Sequence, residues 1–141
     1  MAIKINEPIG PAGYGPMFCR AALGGYFLLA GLSKLQVLAA FVAQVKSFGV
    51  LPENVSSLYG VLLPYLEVFI GGCLLLGLWT TMVGLMAGCL MVSFVCAFGL
   101  FPESANIFNK DIVLLGAILS LLYTGPGKYS LDNVGKPPAP A

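Results

Sequence analysis

Three charged side chains lie inside the apolar stretches of this chain, and they are the residues best suited to chemistry. Arg20 and Lys34 are 14 residues apart, or about 21 Å along a helix axis, and Gly24 and Gly31 fall on the same helical stripe. Glu67 stands in a second apolar stretch, where a carboxylate requires a counter-charge or a proton. We therefore predict a polar seam of Arg20, Lys34 and Glu67, in which either cation pairs with the carboxylate. The seam serves either as a structural ion pair or as a substrate, quinone or proton site.

A second polar point precedes the last apolar stretch and comprises Asn106, Asn109, Lys110 and Asp111. The apolar run 112–123 has only 12 residues, too few to cross the roughly 30 Å of hydrocarbon in a bilayer. These polar residues are therefore drawn to the edge of the apolar layer. Because neighbouring residues on a helix point in different directions, we expect that Lys110 and Asp111 do not simply neutralise each other. They either anchor the helix at the interface, or one of them turns inward.

The absence of histidine excludes whole classes of chemistry. His-ligated haem, His-bearing zinc or copper sites and Ser-His or Cys-His catalytic pairs cannot form within this chain. We expect no metal site and no cofactor held by the chain's own ligands, which leaves contact with a quinone or a lipid. The cysteines form no CxxC motif and are expected to pack, although Cys89 and Cys96 share a helix face and leave thiol chemistry open.

The distribution of charge predicts a membrane protein. Between Glu67 and Glu103 the chain runs 35 residues without a charge, which suits the end of one span, a turn and a second span. The turn falls at 77–81, where Trp79 suits the headgroup layer. Hydrophobic residues make up 58% of the 141 residues and charged residues 9%, against roughly a quarter charged in globular domains. A net charge of +1 without a basic cluster argues against a nucleic-acid partner.

The predicted fold is an all-α integral membrane four-helix bundle in contact with the lipid bilayer, and its transmembrane domain covers residues 17–124. The predicted spans are at about 17–34, 58–78, 81–101 and 107–124. Residues 35–48 keep a helical pattern, so the first helix is either extended or followed by an interfacial helix. Residues 1–16 are predicted to be a surface segment, and 125–141 a polar tail rich in proline and glycine.

Small residues predict where the helices approach one another. Gly84 and Gly88 form a GxxxG face in the third predicted span, and Gly24 and Gly31 line the first. Such faces allow close helix contact within one chain or between two. Four spans would place both termini on one side of the membrane. Four basic residues on that side against three on the other favour the cytoplasm for both termini.

Several short motifs follow one another in an order that is typical of one family. They are Arg20-x-x-Leu23-Gly24, Phe27-Leu28-x-Ala30-Gly31-x-x-Lys34-Leu35, Phe48-Gly49-x-Leu51-Pro52, Glu67 with Gly71 and Leu76-Gly77-Leu78, and Gly125-Pro126-Gly127-Lys128-Tyr129-Ser130-Leu131-Asp132. In these residues the chain resembles the DoxX family of small four-span bacterial membrane proteins, related to the MauE and DoxD-type proteins. The resemblance covers residues 18–132 and implies a place in the bacterial cytoplasmic (inner) membrane.

The resemblance also implies an association with membrane redox systems, and three functions stay open. The favoured one is a non-catalytic accessory or assembly subunit of a larger membrane redox complex, whose partners are other membrane subunits. The second is a quinone-linked oxidoreductase with its site at Arg20, Lys34 and Glu67. The third is a small-solute or proton transporter that uses Glu67.

Overall fold

The computed structural model describes residues 10–98 and 110–135. This part of the chain is all-α, as predicted, and contains five α-helices and one short 3-10 helix. The α-helices are α1 (Tyr14–Gln36), α2 (Leu38–Ser47), α3 (Glu53–Leu76), α4 (Thr80–Phe98) and α5 (Lys110–Thr124), and the 3-10 helix is Leu131–Asn133.

Two of these helices are long and apolar enough to cross a membrane: α1 with 23 residues and α3 with 24. Both also present large apolar side chains on the outside of the molecule, among them Leu29 and Phe69, which are 69% and 47% exposed. An apolar outer surface is expected of a helix that meets lipid rather than water. The structure therefore agrees with a helical membrane bundle, while the count of four spans stays a prediction.

The first predicted helix is broken and followed by a separate one. Val37 leaves the helical conformation with φ −123° and ψ 37°, and its N–H bonds to the carbonyl of Lys34 at 3.2 Å. α2 then packs against α3, where a Cβ on Gly60 would lie 3.3 Å from Val42. Residues 35–48 were predicted either to extend the first helix or to form a separate interfacial helix. The structure contains a separate helix, α2.

α3 corresponds to the predicted span 58–78 and begins earlier than predicted, at Glu53. Its N-cap is Pro52, whose extended backbone (φ −53°, ψ 146°) suits the entry to a helix, and Glu53 adds a negative charge to the first turn. The N–H of Ser56 bonds to the Pro52 carbonyl at 2.9 Å. α3 continues without a break through Pro64 as far as Leu76.

Glycines bring α1 and α3 into backbone contact. A Cβ on Gly24 would lie 2.9 Å from the Leu75 nitrogen, and one on Gly31 would lie 2.8 Å from the Pro64 carbonyl oxygen. On the other side of the contact, a Cβ on Gly71 would meet the backbone of Leu28. Gly84 and Gly88 lie instead at the contact between α4 and α5, where Leu122 and Ile118 are their neighbours. Close packing therefore fixes the position of α1 along the axis of α3.

The buried core is shared by four of the helices. It contains Leu23 and Phe27 of α1, Leu63, Ile70 and Leu74 of α3, Val83, Ala87, Leu90 and Met91 of α4, and Ile118 and Leu121 of α5. α2 contributes no fully buried residue.

A valine at position 71 should destabilise the bundle by about 2 kcal/mol, because its branched side chain must push the backbones of α1 and α3 apart. The neighbouring Gly72→Val variant is the matched control, since a Cβ at Gly72 meets nothing within 4 Å. Unfolding in mixed micelles with increasing dodecyl sulfate measures both variants. Equal midpoints for the two variants would contradict the α1–α3 contact.

Candidate functional site

Lys34 and Glu67 form an ion pair between α1 and α3. The Glu67 side chain is 1% exposed and that of Lys34 is 24% exposed. The Lys34 ammonium also lies over the rings of Phe41 and Phe94, 5.4 Å and 5.2 Å from their centroids. An ammonium that is partly removed from water gains from aromatic faces. The arrangement neutralises both charges in apolar surroundings.

The close approach of α1 and α3 places this pair. Gly31 rests on Pro64 and Val68 of α3. Lys34 follows Gly31 by three residues, so it lies on the same face of α1 and one turn further along. Its long side chain then reaches Glu67, whose neighbour Val68 is already in contact with Gly31. One oxygen of Glu67, Oε2, has no hydrogen-bond partner among the described residues.

Lys110 and Asp111 form a second charged pair, at the start of α5. Their Nζ and Oδ1 atoms are 3.2 Å apart, so the expectation that these neighbours do not neutralise each other is wrong. The lysine side chain is long enough to reach the neighbouring carboxylate although the two Cα–Cβ bonds point in different directions. Asp111 is 94% buried in its side chain, whereas Lys110 is largely exposed. Asn106 and Asn109, the other members of this predicted polar point, lie outside the described residues.

Both lysines line one large cavity, with a volume of about 1000 Å³. Residues from all five helices contribute to its wall, together with the loop that joins α2 to α3. The polar members are Tyr26, Ser33, Lys34, Gln44, Ser56, Tyr59, Ser93, Lys110 and Asp111, and most of the remaining wall is apolar. Tyr59 and Ser93, whose hydroxyls are 2.8 Å apart, were not among the predicted site residues. A tyrosine and a serine in apolar helices give no distinctive pattern.

Arg20 is not part of this arrangement. It is buried near the other end of α1, and its guanidinium donates five hydrogen bonds, all to backbone carbonyls. Two go to Leu74 and Leu75 at 2.7 Å and 2.9 Å, at the end of α3. The other three go to Pro126, Lys128 and Tyr129. The structure thus brings together two of the three predicted seam residues and separates Arg20 from them.

The segment after α5 folds back onto the bundle, so the described part of the predicted tail, 125–135, is packed. Ser130 is buried and donates to the Gly77 carbonyl at 2.8 Å. The Asp132 carboxylate accepts from the N–H groups of Trp79 and Thr80, both at 2.7 Å, at the start of α4. A carboxylate at a helix N-terminus binds free backbone donors and complements the helix dipole. This segment, Arg20 and the α3–α4 turn therefore form one closed end, which we call the Arg20 staple.

Glycine is required at the α3–α4 turn for both conformation and space. Gly77 has φ 69°, in the left-handed region, and a Cβ there would crowd Arg20 and Ser130.

The cysteines are free thiols at separate places. Cys19 donates a weak hydrogen bond to the Ala117 carbonyl at 3.4 Å, and Cys96 lies in the cavity wall. Cys89 and Cys96 are both exposed. Residues 10–98 and 110–135 contain no group of three or more cysteine and acidic residues that would hold a metal ion.

In residues 10–98 and 110–135, an all-α bundle with two helices long and apolar enough to cross a membrane indicates a helical membrane protein. Residues 13–109 match a family model described as methylamine utilisation protein MauE, so the chain belongs to this family. The predicted relation to MauE-type proteins is thereby confirmed, and the resemblance to the DoxX family itself stays a prediction. No curated protein and no solved structure matched the chain.

Replacing Lys34 by methionine should destabilise the bundle by about 3 kcal/mol, because it leaves a buried carboxylate without its cation. The double variant Lys34→Met, Glu67→Leu should recover most of this loss, since both charges are then removed. Dodecyl sulfate titration gives the free energies of unfolding. The matched control is Lys46→Met, whose partner Glu53 is 84% exposed and 3.7 Å away, and which should cost less than about 1 kcal/mol. A double variant as unstable as the single one would contradict this account.

Arg20→Lys should loosen the closed end although it keeps the charge. An ammonium has three donors on one atom and cannot reach carbonyls on both α3 and the 126–129 segment, which the planar guanidinium bridges. We expect tryptic cleavage after the exposed Lys128 to become at least about tenfold faster, because cleavage requires local opening. The mass of the released fragment identifies the cut. An unchanged rate would show that the five hydrogen bonds do not hold this segment.

Proposed function

We propose that this protein is an accessory or assembly subunit of a membrane redox system, of the methylamine-utilisation type that its family name indicates. The match to the MauE family over residues 13–109 is the observation that carries the proposal. The chain is proposed to lie in the bacterial inner membrane, where its partners are lipid and other membrane subunits. The basic residues favour cytoplasmic termini.

The use of the charged residues supports a role in assembly. Arg20 binds carbonyls of α3 and of the segment after α5, and Lys34 pairs with Glu67. Both sets of contacts join helices of this chain to one another. The apolar outer faces of α1 and α3 remain available to lipid or to the helices of a partner.

A quinone-linked oxidoreductase is the second candidate, and the cavity beside Lys34 favours it. In this reading Lys34 would border the reacting group and Glu67 would act through its ion pair with Lys34, whereas Arg20, with its donors already engaged, would act only on the structure. Contact with a quinone or lipid at the cavity is compatible with either candidate.

Deletion of the gene should abolish growth of the native bacterium on methylamine as nitrogen source and leave growth on ammonium unchanged. If the protein is an assembly subunit, the amount of mature methylamine-oxidising enzyme should fall at least about tenfold in the deletion strain, because unassembled subunits are degraded. Mass spectrometry of membrane and soluble fractions measures that amount. As a control, restoring the gene on a plasmid should restore both growth and enzyme.

Two outcomes would contradict the accessory role. Normal amounts of fully active enzyme with unimpaired growth would remove the link to methylamine. Normal amounts of mature enzyme with lost electron flow to quinone would favour the oxidoreductase.

A further inference from the structure

The cavity between the helices has the size and the wall of a binding site for an amphipathic molecule. Its volume of about 1000 Å³ lies at the upper end of the range typical of ligand pockets, roughly 300–1,000 Å³. The wall is apolar over most of its area and carries a few polar groups from different helices. We infer that this cavity binds an elongated apolar molecule with uncharged carbonyl oxygens at one end.

The apolar body of the ligand is matched by the wall on the side of α2. Phe41 and Val45 of α2, Phe48 directly after it, and Leu63 of α3 line this part. α2 has no fully buried residue, and Phe41 and Val45 are only half-buried, so part of its inward face borders the cavity. The apolar chain of a ligand would cover this face of α2 and add close van der Waals contacts to it.

The balance of charge at the cavity argues for an uncharged head group. Among the described residues, the cations Lys34 and Lys110 are each paired with an anion, Glu67 and Asp111. A ligand carboxylate would add an uncompensated negative charge in a medium of low dielectric constant, which is costly. A carbonyl oxygen adds none. Each ammonium has three N–H donors. Besides its carboxylate, Lys34 faces the rings of Phe41 and Phe94, and Lys110 contacts the hydroxyl of Tyr26, which itself lines the cavity. A ligand carbonyl would accept from the donors that these contacts leave.

Two natural sources provide this chemistry: the ester of an acyl lipid and the ring carbonyls of a quinone. The test uses the full-length protein in lipid nanodiscs with three radiolabelled probes: 1-monooleoylglycerol, decyl-benzoquinone and oleate. Empty nanodiscs are subtracted as background. At least one neutral probe should bind with a Kd about tenfold or more below that of oleate, and the tighter of the two identifies the source. Oleate binding as tightly as both neutral probes would overturn the inference.

Two adjacent alanines of α2 supply a matched pair of variants. Ala40 lines the cavity, whereas Ala39 does not. Ala40→Trp should fill the cavity and weaken binding of the preferred probe at least about tenfold, and Ala39→Trp should leave it unchanged. Size-exclusion chromatography verifies that both variants are folded. Equal binding by the two variants would overturn the assignment of the cavity.

A change of charge tests the preference for a neutral head. Asp111→Asn removes the carboxylate that is paired with Lys110 and makes the net charge of the cavity wall more positive by one. Oleate should then gain about tenfold relative to the neutral probe. Glu53→Gln, an exposed carboxylate outside the cavity wall, is the matched control and should leave the ratio unchanged. An unchanged ratio in Asp111→Asn would overturn the argument from charge balance.

Discussion

The fold depends on how carbonyl groups at the end of α3 find donors in apolar surroundings. The last carbonyls of any helix have no partner within that helix, and lipid supplies none. Backbone N–H groups of the α3–α4 turn bond to the carbonyls of Cys73 and Leu74. Arg20 of α1 adds donors to Leu74 and Leu75, and its guanidinium reaches, on its other edge, the segment after α5. A single planar group thereby satisfies two sets of acceptors and joins three parts of the chain. Its charge is offset by these carbonyl dipoles and, at longer range, by Asp132.

The Arg20 staple and the glycine contacts together determine what happens further along α1. Gly24 and Gly31 hold α1 against α3, and the staple fixes the relative position of the two helices at one end. These contacts fix the position of the Lys34 ammonium along the axis of α3, and Glu67 lies at that position. The break at Val37 redirects the chain, so α2 packs beside the first turns of α3 and forms a wall of the cavity. Structural contacts thus occupy one end of the bundle, and the cavity occupies the other.

The sequence predicted those features that have a local or periodic signal. Helical composition, the apolar stretches, the glycine stripe of α1 and the need of Glu67 for a cation all follow from residue type and spacing. The partners of Arg20 were missed because backbone carbonyls carry no sequence signal: every residue has one. The same limit applies to residues 125–135, whose glycines and proline are typical of a tail but here form turns that return to Arg20. The Lys110–Asp111 pair was missed because helical position alone ignores the length of a lysine side chain.

An ion pair is a costly way to join two helices, and this cost bears on function. Apolar residues of similar size often stabilise a buried contact as well as or better than a charged pair does. Lys34 takes part in two features of the structure, the pair with Glu67 and the wall of the cavity. It joins α1 to α3 through Glu67, and its ammonium lies beside the cavity, over the rings of Phe41 and Phe94. Variants of Lys34 alter both together, whereas Ala40 borders the cavity without belonging to the buried core or the ion pair. The cavity's role can therefore be separated from the bundle's stability only through wall residues of this second kind.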